Sequence, residues 1–75
     1  MKIAIVEWDD ASSDRGPIRQ DEMQPRYRCR SVGMVVDTDK EYVTIAQDHI
    51  ITDGRYRDVM HIPRKMIVRM KTVRG

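Results

Sequence analysis

His49-Ile50-Ile51-Thr52-Asp53-Gly54-Arg55-Tyr56-Arg57 is the stretch that decides the fold. Asp-Gly between two runs rich in β-branched and aromatic residues is the strongest short-range hairpin signal a sequence carries. A two-residue type I′ turn at Asp53-Gly54 predicts a register in which Thr52 faces Arg55, Ile51 faces Tyr56, His49 faces Asp58, Gln47 faces Met60, Ile45 faces Ile62 and His61 faces Ala46. Upstream, Tyr42-Val43-Thr44-Ile45-Ala46 has strong strand preference, and the polar segment Asp37-Thr38-Asp39-Lys40-Glu41 turns it back onto a strand over Arg26 to Asp37. In that strand Val32, Met34 and Val36 share one face, and Cys29, Ser31 and Val35 the other. Gly33 in its interior marks a bend, a bulge or a close approach of backbone.

Downstream, Pro63 breaks the ladder and Arg64-Lys65 turn the chain. Met66 to Val73 then forms a last strand, with Met66, Val68 and Met70 expected inward and Ile67, Arg69 and Lys71 outward. At the amino end, Ile3 and Ile5 alternate with Ala4, Val6 and Trp8 as a first strand. From Asp9 to Pro25 the composition turns to Asp, Ser, Arg and Gln with Gly16-Pro17, which predicts one long polar loop with room for a short helix over Ile18 to Met23. Five strands in one meander with a bent second strand describe a mainly β, SH3-like or Sm-like small barrel filling residues 1–75 as a single domain.

A chain of 75 residues and 8.8 kDa has 35% charged residues and no Phe, and at that size only roughly 60% of the unfolded surface is buried. The core is therefore thin, and small domains of this kind add disulfides, a metal or partner subunits. Cys29 is the single cysteine, so self-association is the expected supplement. No stretch approaches the ~20 apolar residues of a membrane span, and the run before Trp8 is too short for a signal peptide; a cytosolic protein is expected. Formal net charge is +2, unevenly spread: residues 1–25 carry three bases against six acids, and the rest of the chain carries +5. Ten of the fourteen basic residues are Arg, whose planar fork suits phosphate or carboxylate.

Several segments together resemble a family of small bacteriophage proteins: Val6-Glu7-Trp8-Asp9-Asp10-Ala11 fits its V-x-W-x-D-A opening, Ser31-Val32-Gly33 its S-V-G-W-x-V strand, Tyr42 to Ala46 its Y-x-x-x-A strand, and Ile62-Pro63 to Ile67 its I-P-x-x-x-I close. Met34 stands where the family commonly has Trp. The resemblance implies a phage-encoded accessory protein in the host bacterial cytoplasm and brings no established active site. Small oligomeric phage proteins include nucleic-acid binders, inhibitors of host proteins, and sponges that sequester cyclic nucleotide defence signals.

Among the residues themselves, Arg26, Arg28 and Arg30 alternate, so one strand face would present all three at roughly 6.8 Å spacing, close to that of adjacent phosphates. The same row would also serve as a charged edge that discourages sheet-to-sheet aggregation. Arg55-Tyr56-Arg57 interleaves a ring with two cations, as a base-stacking contact or as an ordinary exposed hairpin. Trp8 is a stacking platform or a rim residue closing the barrel. Asp9, Asp10 and Asp14 lack the spacing of a cation loop and no His lies near, so no metal is expected. No His is placed beside Cys29, and no nucleophile–base pair or phosphate-cradling glycine loop can be assembled; neither catalysis nor a cofactor is expected. The expected function is binding of a nucleotide-type anion, either a cyclic nucleotide signal or single-stranded nucleic acid, by Trp8, Arg26, Arg28, Arg30, Arg55, Tyr56 and Arg57. The alternative is an inhibitor or adaptor that acts on a host protein.

Overall fold

The computed structural model describes residues 1–11 and 26–75, the side chains of Ala11 and Arg26 excepted. Five strands, β1 (Lys2–Ala11), β2 (Arg26–Thr38), β3 (Tyr42–Ile50), β4 (Arg55–Pro63) and β5 (Ile67–Arg74), follow one another with a 3₁₀ turn at Arg64–Met66 before the last. Every ladder is antiparallel and the spatial order is β4-β3-β2-β1-β5. The mainly β expectation therefore holds as one five-stranded sheet. The meander stops at β4, however, and β5 crosses back to pair with β1. Among the described residues no helix is long and apolar enough to cross a membrane.

The loop expected from Asp9 begins later. Asp9, Asp10 and Ala11 continue β1 opposite Arg28, Tyr27 and Arg26, and Asp9 finds a basic partner across the ladder in Arg28, a cross-strand pairing that composition alone does not show. Residues 12–25, including Asp14 and the helix expected over Ile18 to Met23, lie outside the described residues.

The Asp53-Gly54 hairpin exists, but its register is shifted by two. Ile50 pairs with Arg55, His49 with Tyr56, Asp48 with Arg57, Ile45 with Met60, Thr44 with His61 and Val43 with Ile62. The loop has four residues rather than two: the Ile50 carbonyl accepts from Asp53 N–H at 3.3 Å and from Gly54 N–H at 2.8 Å. Gly54, at φ 79°, uses its left-handed freedom to leave that turn rather than to form the centre of a type I′ turn. Ile51 consequently sits in the loop, 84% exposed, instead of opposite Tyr56. A shift of two keeps every side chain on its expected face.

A shift of one does the opposite in β5. Glu7 pairs with Arg69 but Trp8 pairs with Ile67, so Val68 is the extra residue of a bulge. Ile67 packs on the core and Val68 is exposed, which corrects the expected inward set: the bulge inverts the alternation on its amino-terminal side.

Ala4, Val6, Val43, Ile45 and Ile62 form the core, with Trp8, Val35 and Ile67 packed against them. These residues come from all five strands, so the sheet curls around one cluster. From Val43 to Ala46, β3 is buried on both faces, and Thr44 Oγ1 is hydrogen-bonded to His61 Nδ1 at 2.8 Å. Gly33 pairs with Ala4 of β1 and lies next to Met34, where the ladder to β3 begins opposite Ala46. A Cβ there would meet the Ala46 carbonyl oxygen at 2.9 Å, so close backbone approach is what the glycine permits.

The β2–β3 turn is held tightly. Asp39 Oδ1 accepts from the N–H groups of Glu41 at 2.8 Å and Tyr42 at 2.7 Å, and the Asp39 N–H donates to the Tyr42 carbonyl at 3.0 Å. Those two backbone donors hold the Asp39 carboxyl below its ordinary value, since they favour the charged form. The 3₁₀ turn is tied to the same turn: Arg64 N–H donates to the Glu41 carbonyl at 2.8 Å and Arg64 Nε to the Asp39 carbonyl at 2.5 Å.

Candidate functional site: a cationic sheet face

Alternation along β1, β2 and β5 sorts their side chains onto two faces. One is the core face. The other carries Ile3, Ile5, Glu7 and Asp9 from β1, flanked by Met34, Val32, Arg30 and Arg28 of β2 and by Val73, Lys71 and Arg69 of β5. The expected arginine row is thus on a solvent face, but it is matched by acids of the neighbouring strand. Arg28 Nε donates to Asp9 Oδ1 at 2.5 Å, and Arg30 donates to Glu7 Oε1 through Nη2 at 2.8 Å and Nε at 3.2 Å. The hydrogen bond to Asp9, and then its charge, raise the Arg28 pKa above its ordinary value. Exposed pairs of this kind contribute little to stability. Their consequence is electrostatic: two of the cations nominated by the strand pattern are already compensated. Arg26 shares the strand, paired to Ala11 through its backbone, and its side chain lies outside the described residues.

The uncompensated charge comes from β5. Arg69 sits across from Glu7 and Lys71 across from Ile5, and among the described residues neither has an ion-pair partner. With Arg30 they surround a shallow cleft of about 340 Å³ whose remaining lining is Ile5, Glu7 and Val32. Three cations thus face one carboxylate over an apolar floor. Arg30 uses two of its five N–H donors on Glu7, which leaves three for an incoming anion. The alternation of β5 gives Arg69 and Lys71 only an outward orientation; no local signal places them beside Arg30, because the β1–β5 ladder joins opposite ends of the chain.

The other nominated residues do not join this cleft. Trp8 lies on the core face; its Nε1–H donates to Ser31 Oγ at 3.0 Å and its ring packs against the buried cluster. Arg55 is held by its own turn, donating to Asp53 Oδ2 at 2.9 Å from Nη2, and Arg57 pairs with Asp48 at 3.2 Å. The Arg55 hydrogen bonds, side chain first and then backbone, hold the Asp53 carboxyl below its ordinary value. Tyr56 stacks on His49, with centroids 4.4 Å apart and planes 13° from parallel. Because neighbours along a strand point to opposite faces, Tyr56 is turned away from Arg55 and Arg57, and the three do not enclose a common space.

No protein-family model matches the chain, and no curated protein or solved structure matches it.

Proposed function

We propose that the chain is a non-enzymatic binding protein for a nucleotide-type polyanion, single-stranded nucleic acid before a cyclic nucleotide, and that it binds on the β5–β1–β2 face. The observation that carries this reading is the cleft in which Arg69 and Lys71, without ion-pair partners among the described residues, meet Arg30 over Ile5 and Val32. A small ligand is usually held with most of its surface buried, whereas this cleft is open to solvent and continues along the strand face, as suits an extended backbone. No aromatic side chain lies on it, so contacts would be to phosphates and sequence preference would be weak. The resemblance of Val6 to Ala11, Ser31 to Gly33 and Ile62 to Ile67 to phage proteins supports an accessory role in the cytoplasm of an infected bacterium.

The test is fluorescence anisotropy of a labelled single strand titrated at several salt concentrations. Three phosphate contacts predict a log K against log salt slope of about −2, since each contributes about −0.7 on single strands. Arg69→Ala/Lys71→Ala should flatten that slope to about −0.7 and weaken binding at low salt at least about tenfold. An unchanged slope would sink the assignment of the face. Tight, nearly salt-independent binding of a cyclic dinucleotide would transfer the function to the sponge form.

We further propose that the protein is a homo-oligomer with strand edges β4 and β5 at its interfaces. Both are edges of the sheet among the described residues, and both expose apolar side chains: Val59 and Met60 on β4, Val68 and Met70 on β5. Exposed edges of this kind pair with other chains unless blocked. Sedimentation equilibrium should return a multiple of 8.8 kDa; a monomer at millimolar concentration would refute it.

A further inference from the structure

A second cationic cleft, of about 400 Å³, opens between the β2–β3 turn and the 3₁₀ turn, lined by Lys40, Glu41, Tyr42, Pro63, Arg64 and Lys65. It shares no residue with the sheet face and has what that face lacks, an aromatic ring. We propose that it binds one nucleotide unit, with the base against Tyr42 and the phosphate between Lys40 and Lys65. The inference deepens the nucleotide reading but rests on different residues, so the two stand or fall separately.

Three features support it. The walls are fixed before any ligand arrives: the Asp39 carboxylate bridges the Glu41 and Tyr42 N–H groups, and Arg64 clamps the 3₁₀ turn to the Asp39 and Glu41 carbonyls. Binding to such a site orders little that is not already ordered. Tyr42 is positioned as a platform, 41% exposed, opposite Pro63 in the ladder and edge-on to His61 with centroids 6.4 Å apart. Base stacking on such rings tolerates any base, because every base has a π-face. Finally, Lys40 and Lys65 approach from the two separate turns and have no ion-pair partner among the described residues, so the cleft holds three cations against Glu41 alone.

Glu41 selects between anions. A run of peptide carboxylates would meet its charge, whereas a nucleotide presents hydroxyl and amino donors that a carboxylate accepts. The volume lies within the range of small-molecule sites and accommodates a base with its phosphate.

The experiment is amide NMR titration of the whole chain with AMP, with inorganic phosphate, with a 5′-phosphorylated oligo-adenylate and with an acidic peptide, repeated on three variants. AMP should shift the amides of residues 40–42, 64 and 65, in the wild type and equally in Arg69→Ala/Lys71→Ala, whose sheet face binds at least about tenfold more weakly. Tyr42→Leu should weaken AMP about tenfold, the scale of one stacked base, while phosphate affinity stays unchanged. Lys40→Ala/Lys65→Ala, at two exposed positions, should weaken both ligands and covers the case in which Tyr42→Leu misfolds. The oligo-adenylate shifting the same residues more tightly than AMP would identify a strand end as the natural source; AMP as the tighter ligand would identify a free nucleotide. Equal responses to AMP and phosphate, no shifts in this cleft at about 10 mM AMP, or tighter seating of the acidic peptide would each overturn the proposal, whatever the sheet face binds.

Discussion

Truncating Ile45 to alanine is expected to remove about 2–5 kcal/mol of folding stability, against the roughly 4–11 kcal/mol typical of a domain this size. The size of the effect follows from how few side chains are fully enclosed. Ile45 is 1% exposed, and among the described residues the other large side chains enclosed to that degree are Ile62, Val6 and Val43. Ile45 lies on the inner strand β3, paired with Val35 on one side and Met60 on the other, so a cavity there adjoins three strands. A thin sheet has little second layer with which to collapse into the space, which places the cost toward the upper end of the range. Urea denaturation of Ile45→Ala beside Ile45→Val measures it. The valine variant should lose about 0.5–1.5 kcal/mol, and a loss below about 1 kcal/mol for alanine would mean that this cluster is not the core. If the strand edges associate as proposed, the alanine variant should also show a midpoint that depends more strongly on protein concentration, since oligomer and fold are then linked.

The strands were legible in the sequence because each carries its own alternation. Ala4, Val6 and Trp8 point to the core and Ile3 and Ile5 away from it, as the period of two requires. What local patterns could not supply was the relation between strands. Asp53-Gly54 announces a hairpin, but a left-handed glycine serves both a two-residue loop and the exit of a four-residue one; the choice lies with hydrogen bonds to the Ile50 carbonyl. The bulge at Val68 leaves no mark in the sequence, and it alone reverses which face Ile67 occupies. The candidate sites follow the same rule. Arg28 and Arg30 stood out because they alternate within one strand. Their partners Asp9 and Glu7 carry no local sign of facing them, and the cations that complete the cleft, Arg69 and Lys71, come from a strand that pairs with the far end of the chain. Lys40 and Lys65 carry only turn signals in the sequence; the clamp made by Arg64 brings them to one cleft.

Gly33 is the point at which fold and site meet, and Gly33→Ala is expected to destabilise the protein by about 1–3 kcal/mol, the cost of forcing a methyl group into packed structure. Ordinarily alanine is the better residue in a strand, because glycine loses more backbone entropy on folding. Here the added Cβ would lie 2.9 Å from the Ala46 carbonyl oxygen, 3.2 Å from Ile45 Cβ and 3.3 Å from Gln47 Nε2. The nearest of these is backbone of the most buried strand, so relief requires β2 and β3 to separate rather than a side chain to rotate. Gln47 Nε2 also donates to the Val32 carbonyl at 2.5 Å, a tie across the same contact that separation would lengthen. The melting temperature should fall by about 4–8 °C for each kcal/mol lost. Val32 and Arg30, immediately upstream on β2, belong to the cationic cleft. Strain released by tilting β2 would move them against Arg69 and Lys71, so Gly33→Ala should weaken single-strand binding under conditions where the variant remains folded. An unchanged melting temperature would mean that β2 and β3 do not approach so closely at Gly33 as the 2.9 Å spacing requires.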